Sequence, residues 1–162
     1  MMNIVERTIE LTKVLIVYAS LTGNTRAGAE ILEETFSELG TEVEVVESYD
    51  ADPFEFEDYD ICVVGTYTYG TDADLPDEIV DFYEELEDVN LDGKVYGVFG
   101  SGDVFYVGKY CLCVDYFEEQ FEITGAQKGA TGVKYNLDPD DKAVDNLKSF
   151  AKELVAKYEQ MN

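Results

Sequence analysis

An α/β fold, a parallel sheet covered on both faces by helices, is what this sequence predicts, on three observations. Short apolar runs alternate with helical patterns along the chain, the order that right-handed crossovers wind into a parallel sheet. Runs such as Val14-Leu15-Ile16-Val17 read as strands buried inside the molecule. The turn Ser20-Leu21-Thr22-Gly23-Asn24-Thr25 joins the first of these runs to a helical pattern, and in sheets of this kind such strand-to-helix turns gather at the carboxyl edge, where ligands sit.

Strands are expected at Lys13–Tyr18, Val43–Glu47, Ile61–Thr66, Val95–Phe99 and, more weakly, Gly132–Tyr135. Helices are expected at Thr25–Leu39, Pro76–Leu86, Tyr110–Thr124 and Asp140–Tyr158. Each carries one apolar face at helical spacing: Ile31, Leu32, Phe36 and Leu39; Ile79, Phe82, Tyr83 and Leu86; Tyr110, Val114, Phe117 and Phe121; Val144, Leu147, Ala151, Leu154 and Tyr158. Asp138-Pro139 reads as an N-cap followed by proline at the first helical position, and Pro76 plays a similar starting role. Gly40 and Gly125 stand just past helix ends, where left-handed backbone is wanted. Asp52–Glu57 reads as a short irregular crossover. Residues 1–11 form an N-terminal extension and residues 12–162 a single domain, a length that allows a full core.

Thirty-six Asp and Glu oppose eleven Lys and Arg, a formal net charge of −25. Such a surface repels nucleic acid and anionic membranes and suits basic protein partners. The absence of His removes histidine general acid–base chemistry and histidine metal sites. Cys62, Cys111 and Cys113 fit neither a disulfide framework nor a zinc spacing, and so few thiols point to the reducing cytoplasm. Cys62 belongs to an apolar strand and is expected in the core. No run is long and apolar enough to span a bilayer.

The Ser20–Thr25 turn is an anion cradle in outline. Free N–H groups at a helix start converge on one point, and the helix dipole favours negative charge there. Ser20, Thr22 and Thr25 add hydroxyls and Asn24 an amide. No Lys lies within the turn, so this is not a P-loop but a site where neutral donors hold a phosphate. Two further loops carry unusual chemistry. After the third strand comes Thr66-Tyr67-Thr68-Tyr69-Gly70, where aromatics offer a flat wall to a planar ring. After the fourth comes Gly100-Ser101-Gly102-Asp103-Val104-Phe105-Tyr106, where small residues admit close approach and Phe105 or Tyr106 offers a second wall. A phosphorylated planar heterocycle fits all three loops, and flavin mononucleotide (FMN) is the natural candidate.

The motifs SLTGNT, TYTYG…DLPDE and FGSGDVFY, in this order and at these distances, resemble those of flavodoxins. The resemblance runs from residue 13 to about 160 and lacks the fifth-strand insertion of long-chain members, so it is to the short-chain type. It implies a doubly wound three-layer sandwich with a five-stranded parallel sheet of order 2-1-3-4-5. It implies that Ser20, Thr22, Asn24 and Thr25, with the backbone N–H groups of Leu21 and Gly23, bind the FMN phosphate. Tyr67, Thr68, Tyr69 and Gly70 would line one side of the isoalloxazine, Ser101, Gly102 and Asp103 its pyrimidine edge, and Tyr106 its other face. Cys111 matches a cysteine often found beside the ring, and Gly70 the glycine whose peptide flips to present a carbonyl to flavin N5. Tyr69 stands where relatives commonly carry Trp. The implied function is a low-potential carrier of single electrons between redox enzymes, not itself an enzyme: a cytoplasmic monomer serving basic partners such as a flavodoxin reductase.

An FMN-dependent NAD(P)H quinone reductase of the same fold is the nearest alternative, but no basic or amide-rich cluster suits its phosphate-bearing donor. A signalling receiver domain needs an acidic pair after the first strand and an Asp ending the third; here those strands end in Ala19-Ser20 and Gly65-Thr66. A member that has lost its cofactor and acts as an acidic binding module is opposed by the intact hydroxyl turn.

Overall fold

A computed structural model describes residues 11–20, 22–68, 74–103 and 110–162. Among these residues, six strands and four helices follow one another as β1 (Lys13–Tyr18), α1 (Asn24–Glu38), β2 (Glu42–Glu47), β3 (Ile61–Tyr67), α2 (Asp77–Leu86), β4 (Val95–Gly102), α3 (Leu112–Thr124), β5 (Gln127–Lys128), β6 (Val133–Asn136) and α4 (Asp141–Met161). Two 3₁₀ turns, Ser48–Asp50 and Pro53–Asp58, form the irregular crossover between β2 and β3.

All strand pairs are parallel, in the order β2-β1-β3-β4, and the fifth position is shared by β5 and β6. This is the expected 2-1-3-4-5 sheet with its last strand in two pieces. Val95 and Tyr96 pair with Gln127 and Lys128, and pairing resumes at Phe99 with Val133. Four residues, Gly129 to Gly132, thus stand opposite Gly97 and Val98. Both glycines of this bulge are crowded: a Cβ on Gly129 would lie 2.3 Å from Val95 Cγ1, and one on Gly132 would lie 2.9 Å from Val114 Cγ1. The Gln127–Lys128 piece is polar and exposed, and has no apolar signature to read.

The sheet separates two cores. On one face Val14, Ile16, Val63 and Phe99 pack against Leu32 and Phe36 of α1 and Leu147, Phe150 and Leu154 of α4. On the other, Leu15, Val17, Val64 and Val98 pack against Ile79 and Phe82 of α2 and Phe117 and Phe121 of α3. Burial of these side chains, each worth about 1.5–3 kcal/mol, is what closes the sandwich. β1 and β3, from which the chain turns in opposite directions across the sheet, form the switch point, and the crevice at their carboxyl ends is the expected ligand position.

Several boundaries depart from expectation. Gly100-Ser101-Gly102 is not loop but the last part of β4, paired with Lys134, Tyr135 and Asn136. Helix α4 is capped two residues later than Asp138: Asp140 accepts the Ala143 N–H at 2.8 Å, and Pro139 lies outside the helix. Helix α3 begins at Leu112, because Cys111 adopts left-handed backbone (φ 53°, ψ 29°). Gly40 and Gly125 do take the left-handed conformation past α1 and α3 (φ 82° and 88°), and Cys62 is fully buried.

Candidate functional site

β1 delivers the chain to the carboxyl edge, where the Ala19 N–H still bonds Gly65 O at 2.9 Å before the backbone leaves the sheet. Gly23 (φ 92°) makes the turn into α1, and a Cβ there would meet nothing within 4 Å. The turn is therefore open on the outside, and only backbone strain demands glycine. The Ser20 hydroxyl organises the cradle by accepting from the Gly23 N–H (3.1 Å) and the Arg26 N–H (3.2 Å). The amides of Asn24 and Thr25, in the first helical turn, have no acceptor within the helix. Among the described residues no cation answers for charge here: the Arg26 guanidinium is turned along the helix to Glu30 at 3.1 Å. Thr22 is exposed and Asn24 half-buried.

Thr25 is buried, and its hydroxyl lies 2.9 Å from that of Ser101, also buried. The first and third specialised segments therefore meet directly. Thr68 joins them: its N–H bonds Ser101 O at 3.3 Å, and its hydroxyl accepts the Cys113 N–H at 3.2 Å, capping an orphan donor at the start of α3. Tyr67 is the last residue of β3, and its hydroxyl donates to Glu78 of α2 at 3.1 Å. Gly100 and Gly102 are small for the protein's own sake. A Cβ on Gly100 would lie 2.5 Å from Thr66 O, and one on Gly102 2.8 Å from Cys111 Sγ. Asp103 is half-buried just past β4.

Cys111 is buried, with Sγ 3.7 Å from Gly100 O and 3.8 Å from Tyr135 O, and burial pushes its thiol up to about 11. Such a thiol packs and is not a nucleophile near neutral pH. Leu21, Tyr69, Gly70, Phe105 and Tyr106 lie outside the described residues. Two contributors were not read from the sequence. Tyr135 of β6 donates its hydroxyl to Asn24 O at 2.7 Å, and Gly28 of α1 leaves the space that hydroxyl fills. The available signal was a glycine at the fifth position of an otherwise regular helix.

The flavodoxin family's sequence model matches residues 16–150. The chain belongs to the flavodoxin family. It is 37% identical over 148 residues to "Probable flavodoxin 2" of Bacillus subtilis (strain 168), covering 91% of this chain and 97% of that one. The structure of a Streptococcus pneumonia TIGR4 flavodoxin superposes with a TM-score of 0.87 at 47% identity, covering 90% of this chain and 99% of the other. A short-chain flavodoxin associated with a non-canonical PDU bacterial microcompartment gives a TM-score of 0.88 at 38% identity, with 90% and 98% covered.

Members of this family are FMN-binding electron carriers that serve redox partner proteins. The residues present fit that cofactor. An open turn lined by hydroxyls and unpaired first-turn amides, with no competing cation, is a donor set for a phosphate. Among the described residues no cluster of His, Cys, Asp or Glu is placed to hold a metal ion, and no helix is long and apolar enough to cross a membrane.

Proposed function

We propose that this chain is a low-potential, single-electron carrier whose FMN lies across the carboxyl ends of β1, β3 and β4. The observation that carries the reading is the neutral cradle at the start of α1, tied through Thr25 and Ser101 to the end of β4. Bound FMN supplies a ring that accepts and releases electrons. Everything else falls to the protein.

Ser20, Thr22 and Thr25, with the amides of the turn, including those of Leu21 and Gly23, and the Asn24 side chain, hold the phosphate. Thr68, Tyr69 and Gly70 line one side of the ring, with Tyr67 bracing that segment on α2. Tyr106 would cover the opposite face. Ser101, Gly102 and Asp103 edge the ring, and Cys111 supports that edge from below. Gly70 would present its peptide carbonyl to flavin N5, a backbone change that glycine makes without the cost of about 1 kcal/mol that a Cβ adds.

Acidic residues oppose extra negative charge at the ring. A carboxylate ~12 Å from such a charge, at an effective dielectric of ~20, opposes it by ~1.4 kcal/mol before screening by salt. That corresponds to ~60 mV in a one-electron couple. Neutralising Asp72 and Asp103 together is expected to raise the lower potential; an unchanged potential contradicts the electrostatic origin. The same acids draw in basic partners as a monomer diffuses through the cytoplasm, an effect on encounter rate rather than on final affinity. Electron transfer to a basic reductase should therefore slow as salt rises, and a rate that stays flat from low to high ionic strength removes the steering role.

A further inference from the structure

Ser101 and Tyr135 are register partners on β4 and β6, so their side chains leave the sheet on the same face. Both reach the first turn of α1, and they grip consecutive residues there. The Ser101 hydroxyl meets Thr25 at 2.9 Å, and the Tyr135 hydroxyl donates to the carbonyl of Asn24 at 2.7 Å. Tyr135 is 4% exposed, and a Cβ on Gly28 would lie 2.3 Å from its oxygen.

The consequence follows from peptide geometry. The Asn24 carbonyl and the Thr25 N–H belong to one rigid plane and point in opposite directions. Fixing the carbonyl against Tyr135 fixes the N–H that faces out of the helix start. We propose that Tyr135 is a positioning residue for the phosphate cradle. Its hydroxyl, spent on the Asn24 carbonyl, touches no ligand; it aims the Thr25 amide at the phosphate from the opposite side of the peptide. The inference rests on the FMN reading and concerns only how this chain orients its own donors.

The test is Tyr135→Phe, which keeps the ring in the core and removes the hydroxyl alone. FMN and riboflavin, which differ by the phosphate, are titrated into flavin-free wild-type and variant protein. Flavin fluorescence reports binding, and a thermal melt confirms folding. Loss of one aimed hydrogen bond predicts FMN binding weaker by about 3- to 10-fold, with riboflavin affinity unchanged within about twofold. Equal weakening of both flavins would mean a general loss of packing and would overturn the proposal, as would no change in either. Failure of the wild type to prefer FMN over riboflavin removes the phosphate site itself and this inference with it. A normal wild-type preference with an unchanged preference in the variant removes the role of Tyr135 alone.

Discussion

Gly65 shows how one missing methyl shapes the site. A Cβ there would lie 2.2 Å from the Phe99 ring, and the same ring comes within 3.0 Å of the Cβ position of Gly28. Phe99 thus fills the layer between the sheet and the first turn of α1. Gly65→Ala is expected to destabilise the fold by about 1–3 kcal/mol through overpacking, read as a shift of the urea midpoint. The Cys111 thiol makes a pH prediction. Unfolded, it ionises near 9.0; folded, burial holds it protonated to about 11. Between those values the unfolded chain carries fewer protons, so stability is fully present below about pH 9 and is lost as pH rises through about 11. The buried Tyr135, also shifted upward by burial, acts in the same direction. Urea midpoints measured across that window should fall, and a midpoint that climbs contradicts the burial of these groups. The hydroxyl turn at the start of α1 was legible as a helix entry, because a run of Ser, Thr, Gly and Asn after an apolar strand favours a turn into a helix. Tyr135 and the Thr68 cap were not, because their partners lie 111 and 45 residues away in the chain.

Helices and strands were legible where their faces are apolar and blurred where polar contacts set their ends. All four helices and the first four strands stand where periodicity put them, within a few residues. β4 runs on through Ser101 and Gly102 because Tyr135 and Asn136 continue the ladder, which local sequence does not announce. The last strand splits because crowding against Val95 and Val114 enforces glycines in its bulge. At α4 the sequence points to Asp138 as the cap, but the fold places Asp140 there, accepting the Ala143 N–H. Asp140→Ala should cost about 1 kcal/mol through loss of the bond to Ala143, whereas Asp138→Ala should leave the urea midpoint nearly unmoved. The reverse order would restore the earlier cap. The start of α3 follows the same lesson: its orphan amide is capped by Thr68, just past β3, and its left-handed Cys111 has no signature in composition.

Over the whole molecule, a net charge of −25 on 162 residues means that compaction works against self-repulsion. Salt screens this over about 10 Å at 0.1 M. The melting temperature should therefore rise with sodium chloride between about 0.02 and 0.3 M, and a temperature that falls would show attractive pairs dominating instead. Three ion pairs among the described residues, Arg26–Glu30, Lys128–Glu118 and Lys134–Asp115, are too few to reverse that balance. In the proposed reading, the sandwich, the sheet order and the three specialised segments serve a single FMN pocket. Flavin-free protein titrated with FMN in a calorimeter tests that pocket most directly. One FMN per chain, bound tightly and with a perturbed visible flavin spectrum, is the expected result. No heat and an unaltered flavin spectrum at excess FMN would contradict it.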